Sequence, residues 1–207
     1  MQETGVPIRT MCLSGHRKYP LGSSDPAVEA RGIEIMEKAI RLAEDLGIRI
    51  IQLAGYDVYY EESTFETKKR FLANLKKAAD MAAKAGVTMG FETMENEFMN
   101  TVEKAMKYVT LVGSPYLNVY PDIGNITNAA KTYENDVLED LELGKGHIVA
   151  MHLKRRFREN SGRSRSGPGM WILKAQFKSM GTWREKICHR VLVYRKSGME
   201  RRSHFCK

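Results

Sequence analysis

Glu92, Asp122 and His152 stand 30 residues apart along the chain, each closing a short apolar run: VTMGFE, YLNVYPD and IVAMH. Two carboxylates and an imidazole brought to one point suit a borderline divalent ion such as Mn²⁺, Co²⁺ or Zn²⁺ better than Ca²⁺, which takes oxygen ligands. Taken singly, a Glu, Asp or His at a strand end is more often a cap or an ion-pair partner. The metal reading therefore depends on the three runs being neighbours.

The pattern around them supports that. Residues 8–14 (IRTMCLS) read as a strand, followed by a helix over 27–46 with Ile33, Met36, Ile40 and Ala43 on one face. Gly47 stops it, and 48–53 (IRIIQL) is a second strand. A helix over 64–85 carries Phe71, Leu75, Ala78 and Ala82 on one face and ends at Gly86, before a strand over 87–92. A helix over 100–112 stops at Gly113, before a strand over 116–122. A short helix over 134–143 ends at Gly144, before a last strand over 148–152.

Five β-elements alternating with four helices predict an α/β fold with parallel strands and right-handed crossovers. Neither GxGxxG nor GxxxxGK[ST] follows the first strand, which disfavours a nucleotide-binding open sheet. A (β/α)8 barrel fits better, because it gathers its chemistry at the C-terminal ends of several strands. His16, Gln52, Glu92, Asp122 and His152 all sit at such ends.

Charge divides the chain at Lys154. Of 33 Lys+Arg and 25 Asp+Glu, residues 1–154 hold 18 and 22, which leaves 15 and 3 for residues 155–207. A net of −4 is followed by a net of +12, and the overall +8 describes neither part. No apolar run reaches the roughly 18 residues of a membrane span. No signal pattern opens the chain, and Cys12, Cys188 and Cys206 do not make a disulfide framework. The expectation is a reduced, cytoplasmic protein with no membrane partner.

The segments MCLSGHRKYPLGS, IRIIQLAGYDVYY, GFETMENEFMN, NVYPDIGN and GHIVAMHLK together resemble the sugar-phosphate 3-epimerases of the xylose-isomerase-like barrel superfamily. The resemblance covers about residues 5–154. It implies an incomplete (β/α)8 TIM barrel in which the five strands are strands three to seven. It also implies metal-dependent epimerisation at C3 of a ketopentose phosphate, such as L-xylulose 5-phosphate or L-ribulose 5-phosphate, in pentose or L-ascorbate catabolism. Carried over residue by residue, it makes Glu92, Asp122 and His152 metal ligands and Glu92 one of two opposed acid/base groups. The cofactor implied is Mn, Co or Zn, the partner is a small sugar phosphate, and a homodimer is compatible with the full-length family.

The second acid/base group implied is a Glu in an eighth strand, 35–50 residues after His152. Glu159, Glu185 and Glu200 occur in the tail, and none closes an apolar strand. The tail is therefore read as irregular and not a native domain, with the abruptness of a reading-frame shift, and the chain alone is expected to be weakly active and poorly soluble. Its charge suits nucleic acid, but an out-of-frame peptide is the preferred reading and no nucleic-acid partner is expected. A non-catalytic remnant is a further alternative. A multi-metal apurinic endonuclease would need more histidines than His16, His147 and His152, the three that precede the break at Lys154.

Other residues carry paired readings. His16 either touches substrate or is a hydrogen-bonded loop histidine. Glu95 and Asn125 are candidate substrate contacts. Arg17 and Lys18 either attract a phosphate or are simply solvated. Tyr56, Tyr59 and Tyr60 wall a pocket, join a subunit contact or pack, and His147, before its strand, is structural.

Overall fold

The structure is a computed structural model that describes residues 5–153 and the backbone of 191–192. Four parallel strands lie side by side in chain order: β1 (Thr10–Leu13), β2 (Ile50–Ala54), β3 (Thr88–Glu92) and β4 (Leu117–Tyr120). Helices α1 (Pro26–Leu46), α2 (Phe65–Lys84) and α3 (Val102–Val112) make the three crossovers. After β4 come α4 (Ile123–Tyr133), α5 (Val137–Leu143) and the short strand β5 (Met151–His152). β5 continues the parallel order, because bridges Val119↔Ile148 and Asp122↔His152 tie its approach to the end of β4.

Helix boundaries follow local chemistry. The Asp25 carboxylate accepts from the Ala27 N–H with Pro26 at the first helical position, and Thr64 and Thr67 cap α2 reciprocally. Caps of this kind are worth about 1 kcal/mol each. Gly47 and Gly113 close α1 and α3 at φ of 67° and 69°, a region that costs side-chain-bearing residues.

Strand alternation sorts the sheet into two faces. Met11, Ile51, Met89 and Leu117 stand in register, as do Leu13, Leu53, Phe91 and Val119, and these rows pack under the helices. Met36, Ile40 and Ala43 of α1 and Phe71, Leu75, Ala78 and Ala82 of α2 bury against them, as the helical period predicts. Phe71 anchors this layer, with its ring 5.4–6.2 Å from those of Phe91, Phe98 and Tyr108.

The opposite face carries the row Cys12, Gln52, Gly90 and Asn118, with a smaller apolar group of Ile50, Tyr120, Val149 and Ala150. Gly90 is required there, because a Cβ would come 2.9 Å from Val149 Cγ2 and 3.1 Å from Tyr120 Cβ. At the β1 side this face is open, and Cys12 is exposed.

Three observations bear on the sequence reading. The strand expected over 116–122 stops at Tyr120, because Pro121 lacks the N–H that a ladder uses. Residues 123–133 form α4, where no helix was expected, with the Asp122 side chain accepting from the Asn125 N–H as its N-cap. In the basic tail, Val191–Leu192 forms a strand, β6, parallel to β5. The apolar, partly β-branched run VLVY suits a strand. The other expectations for residues 155–207, including a frame shift and the placement of Glu159, Glu185 and Glu200, lie outside the described residues. Among the described residues no helix is long and apolar enough to cross a membrane.

Candidate metal centre

Glu92 is the last residue of β3, Asp122 follows β4, and His152 ends β5. Consecutive parallel strands bring these ends together, and one ligand atom from each lies within 4.8 Å of the others. His152 Nδ1 is 2.8 Å from Glu92 Oε1 and 3.1 Å from Asp122 Oδ2. Side-chain exposure is 12 % for Glu92, 20 % for His152 and 0 % for Asp122, so the cluster is largely shielded from solvent.

The backbone around it is firmly held. Thr93 Oγ1 accepts from the Asp122 N–H at 2.9 Å, and the Thr93 carbonyl accepts from Asn125 Nδ2 at 2.8 Å. The His152 N–H donates to the Pro121 carbonyl at 2.8 Å, which fixes the His152 backbone beside Asp122. Gly55 lets β2 approach the same point, since a Cβ there would come 2.5 Å from the Glu92 carbonyl oxygen.

The electrostatics of the centre call for positive charge. Hydrogen bonds to Asp122 and then Glu92 push the His152 imidazole up to about 9 against the opposing effect of burial. An imidazolium thus balances two carboxylates where a divalent ion would balance them more fully. Two carboxylate oxygens and one imidazole nitrogen fit Mn²⁺, Co²⁺ or Zn²⁺ by ligand type, and three ligands leave positions open for substrate.

The other expected residues are placed as follows. His16 is buried in the turn after β1, Nε2 lies 3.0 Å from the Gly32 carbonyl, and burial pushes its pKa down to about 4. That is the hydrogen-bonded loop histidine of the sequence reading. Asn125 sits in the first turn of α4 beside Asp122, with its amide committed to Thr93. Glu95 is exposed on the loop after β3 and acts electrostatically on Arg17. His147 Nδ1 is 3.3 Å from Asn118 Oδ1 at the other end of β4.

Two positioning residues escaped the sequence reading. Thr93 holds both Asp122 and Asn125, and its place directly after Glu92 is the only clue the sequence offers. Asp57 is buried in the loop after β2 and accepts from Ser63 and Thr67, which fastens that loop to the start of α2. A carboxylate between Tyr56 and the pair Tyr59–Tyr60 gives little sign of such burial.

Comparison with known proteins agrees with this architecture. The family model of the xylose isomerase-like TIM barrel matches residues 1–181. The chain is 51% identical over 152 residues to the L-ribulose-5-phosphate 3-epimerase UlaE of Escherichia coli O139:H28 (strain E24377A / ETEC), a stretch that is 73% of this chain and 52% of that protein. The same identity and coverage hold for UlaE of Escherichia fergusonii. The chain thus spans about half the length of the curated relatives it matches. Among solved structures, one of L-ribulose 3-epimerase superposes with a TM-score of 0.61 at 26% identity, over 73% of this chain and 51% of that one. The apo form of 3-keto-D-glucoside 4-epimerase, YcjR, from E. coli superposes with a TM-score of 0.72 at 16% identity, over 97% of this chain and 76% of that one, a likeness of fold. With the strand order and the converging strand ends, these matches show that the chain belongs to the xylose isomerase-like TIM barrel family.

Proposed function

We propose that residues 1–154 form a metal-dependent ketose 3-epimerase unit acting on a ketopentose phosphate. Glu92, Asp122 and His152 hold the divalent ion, Mn, Co or Zn. The observation that carries this reading is the convergence of those three side chains, from three successive strand ends, within 4.8 Å. The relatives' names support the substrate class, UlaE being an L-ribulose-5-phosphate 3-epimerase and the solved relative an L-ribulose 3-epimerase. The two names differ by one phosphate.

Bound at this centre, a divalent ion supplies a Lewis acid that stabilises negative charge on the ketose oxygens. Glu92 is the base that takes the C3 proton and the acid that returns one. Asp122 and His152 fix the reacting end of the sugar through their place at the centre. Low exposure limits water around Glu92 and strengthens the charge interactions there.

Epimerisation needs a proton removed from one face of C3 and delivered to the other. Glu92 serves one face, and the family resemblance gives the other to a glutamate of an eighth strand. Glu92 is therefore assigned proton exchange at C3 on its own face.

The deciding experiment loads the full 207-residue chain with Mn²⁺, Co²⁺ or Zn²⁺ and incubates it with L-ribulose 5-phosphate in D2O. Deuterium at C3, followed by NMR and abolished by Glu92→Gln, is the expected result. No exchange in a chain shown by calorimetry to hold its metal would overturn the reading.

A further inference from the structure

We propose that Tyr133, at the end of α4, is an O-acylation site: its phenol oxygen, set against Lys104 and Asn100, takes an acyl group from an activated acyl donor. The site stands apart from the metal centre and needs no sugar.

Three elements build the setting. α4 starts after Asp122 and runs 11 residues to Tyr133. Its end meets the loop between β3 and α3 and the first turn of α3. Thr101 caps α3, its Oγ1 accepting from the Lys104 N–H, which fixes where the Lys104 side chain starts. Asn100, just before that cap, is buried, so its amide is held in place.

The Tyr133 oxygen lies 2.9 Å from Lys104 Nζ and 3.1 Å from Asn100 Nδ2, and both donate to it. Its own proton has a poorer outlet. The acceptor is Asn100 Oδ1 at 3.4 Å, an atom that already receives Lys104 Nζ at 3.0 Å. Surroundings that serve a phenolate better than a phenol favour the phenolate. The Lys104 contact, and then that of Asn100, accordingly hold the Tyr133 hydroxyl below the ordinary phenol value. Lys104 is in no ion pair among the described residues, so no carboxylate shares its charge.

The same geometry spares the lysine. An ammonium has three N–H donors. Lys104 Nζ has three oxygens to receive them: the Glu97 carbonyl at 2.6 Å, Asn100 Oδ1 and Tyr133 Oη. Losing a proton to become a nucleophile would forfeit one of these bonds.

The oxygen is also within reach, since Tyr133 is 41 % exposed. Tyr56, Tyr108 and Tyr120 are buried, and burial pushes their hydroxyls up, to about 12 for Tyr56 and Tyr108. Tyr60, at 77 %, is more exposed than Tyr133, and among the described residues it meets the edge of the Tyr59 ring and no donor. Exposure alone ranks Tyr60 first, whereas the hydrogen bonds rank Tyr133 first. In the step itself the phenolate oxygen attacks the acyl carbon. The bond from that carbon to its leaving group breaks, and the leaving group departs with the electron pair and takes up the proton the phenol gave to water.

The test treats the full 207-residue chain at neutral pH with N-acetylimidazole and follows each tyrosine by peptide mass spectrometry. The Tyr133 ester is expected to form about 3- to 10-fold faster than the Tyr60 ester, the range that one hydrogen bond to a charged oxygen supports. Hydroxylamine should remove it. Lys104→Met should bring Tyr133 down to the Tyr60 rate, and Lys104→Arg should recover part of the advantage, with Tyr60 as the standard within each variant. Tyr60 reacting first, a Tyr133 rate indifferent to Lys104→Met, or a hydroxylamine-resistant amide on Lys104 in place of the ester would each overturn the assignment. A spectrophotometric titration of the parent against Tyr133→Phe reads the phenol without a label. Phenolate absorbance missing from the low-pH end of the variant's curve supports the site, and absorbance missing at ordinary tyrosine pH overturns it.

Discussion

The Nδ1 atom of His152 lies 2.8 Å from Oε1 of Glu92, although 60 residues separate them in the chain. One strand, β4, lies between β3 and β5, and Asp122, just past its end, brings Oδ2 to 3.1 Å from the same nitrogen of His152. The contact is a property of the sheet, since it exists only when three consecutive parallel strands end level. Any change that slips one strand separates the pair without touching either residue.

Metal should therefore stabilise the fold measurably. A ligand at one hundred times its dissociation constant, bound only by the folded state, adds about 2.7 kcal/mol. Urea unfolding with and without Mn²⁺, Co²⁺ or Zn²⁺ should show this for the chain, and Asp122→Asn should lose most of it. Asn also caps helices well, so α4 survives the change. A variant stabilised by metal as much as the parent would remove Asp122 from the ligand set.

Thr93 offers a subtler test. Thr93→Val keeps the shape but takes away the oxygen that accepts the buried Asp122 N–H. The expected cost is about 1–3 kcal/mol in urea unfolding, with weaker metal binding, because Asp122 loses its anchor. Thr93→Ser should restore both. Unchanged metal affinity in Thr93→Val would show that the cap and the sheet bridge alone hold Asp122.

The helix faces of α1 and α2, the parallel sheet and the three strand-end residues were legible because each follows from short-range periodicity. α4 was not. Gly124, Asn125, Thr127 and Asn128 are poor helix formers and hid its pattern. Asp122 before Ile123, Ile126 and Ala129 was the available signal, a cap followed by an apolar face. The support from Thr93 and the burial of Asp57 depend on tertiary contacts that no local pattern encodes.

His16 makes stability depend on pH in a defined window. Its folded pKa of about 4 lies below the ordinary histidine value of about 6.5. Above pH 6.5 the ring is neutral folded and unfolded, and contributes no slope. As pH falls from 6.5 to about 4, the unfolded chain takes up a proton that the folded chain refuses, so stability drops by up to about 3 kcal/mol. Below about pH 4 this group adds nothing further. His16→Gln, which can still donate to the Gly32 carbonyl, should lose less stability between pH 7 and pH 5 than the parent in urea unfolding. Parallel losses would show that the ring protonates freely in the folded protein.

The two oxygens of Asp122 have separate employments: Oδ1 accepts from the first turn of α4 and Oδ2 faces His152. One carboxylate thus joins a helix start to the cluster of strand-end side chains, with one oxygen turned to each. On the metal reading proposed above, such a site would discriminate by denticity. It would disfavour large cations that draw both oxygens of a carboxylate into a crowded shell, and would accept compact ones content with single donors. Selectivity of this kind is written into the start of a helix, outside the pocket it governs.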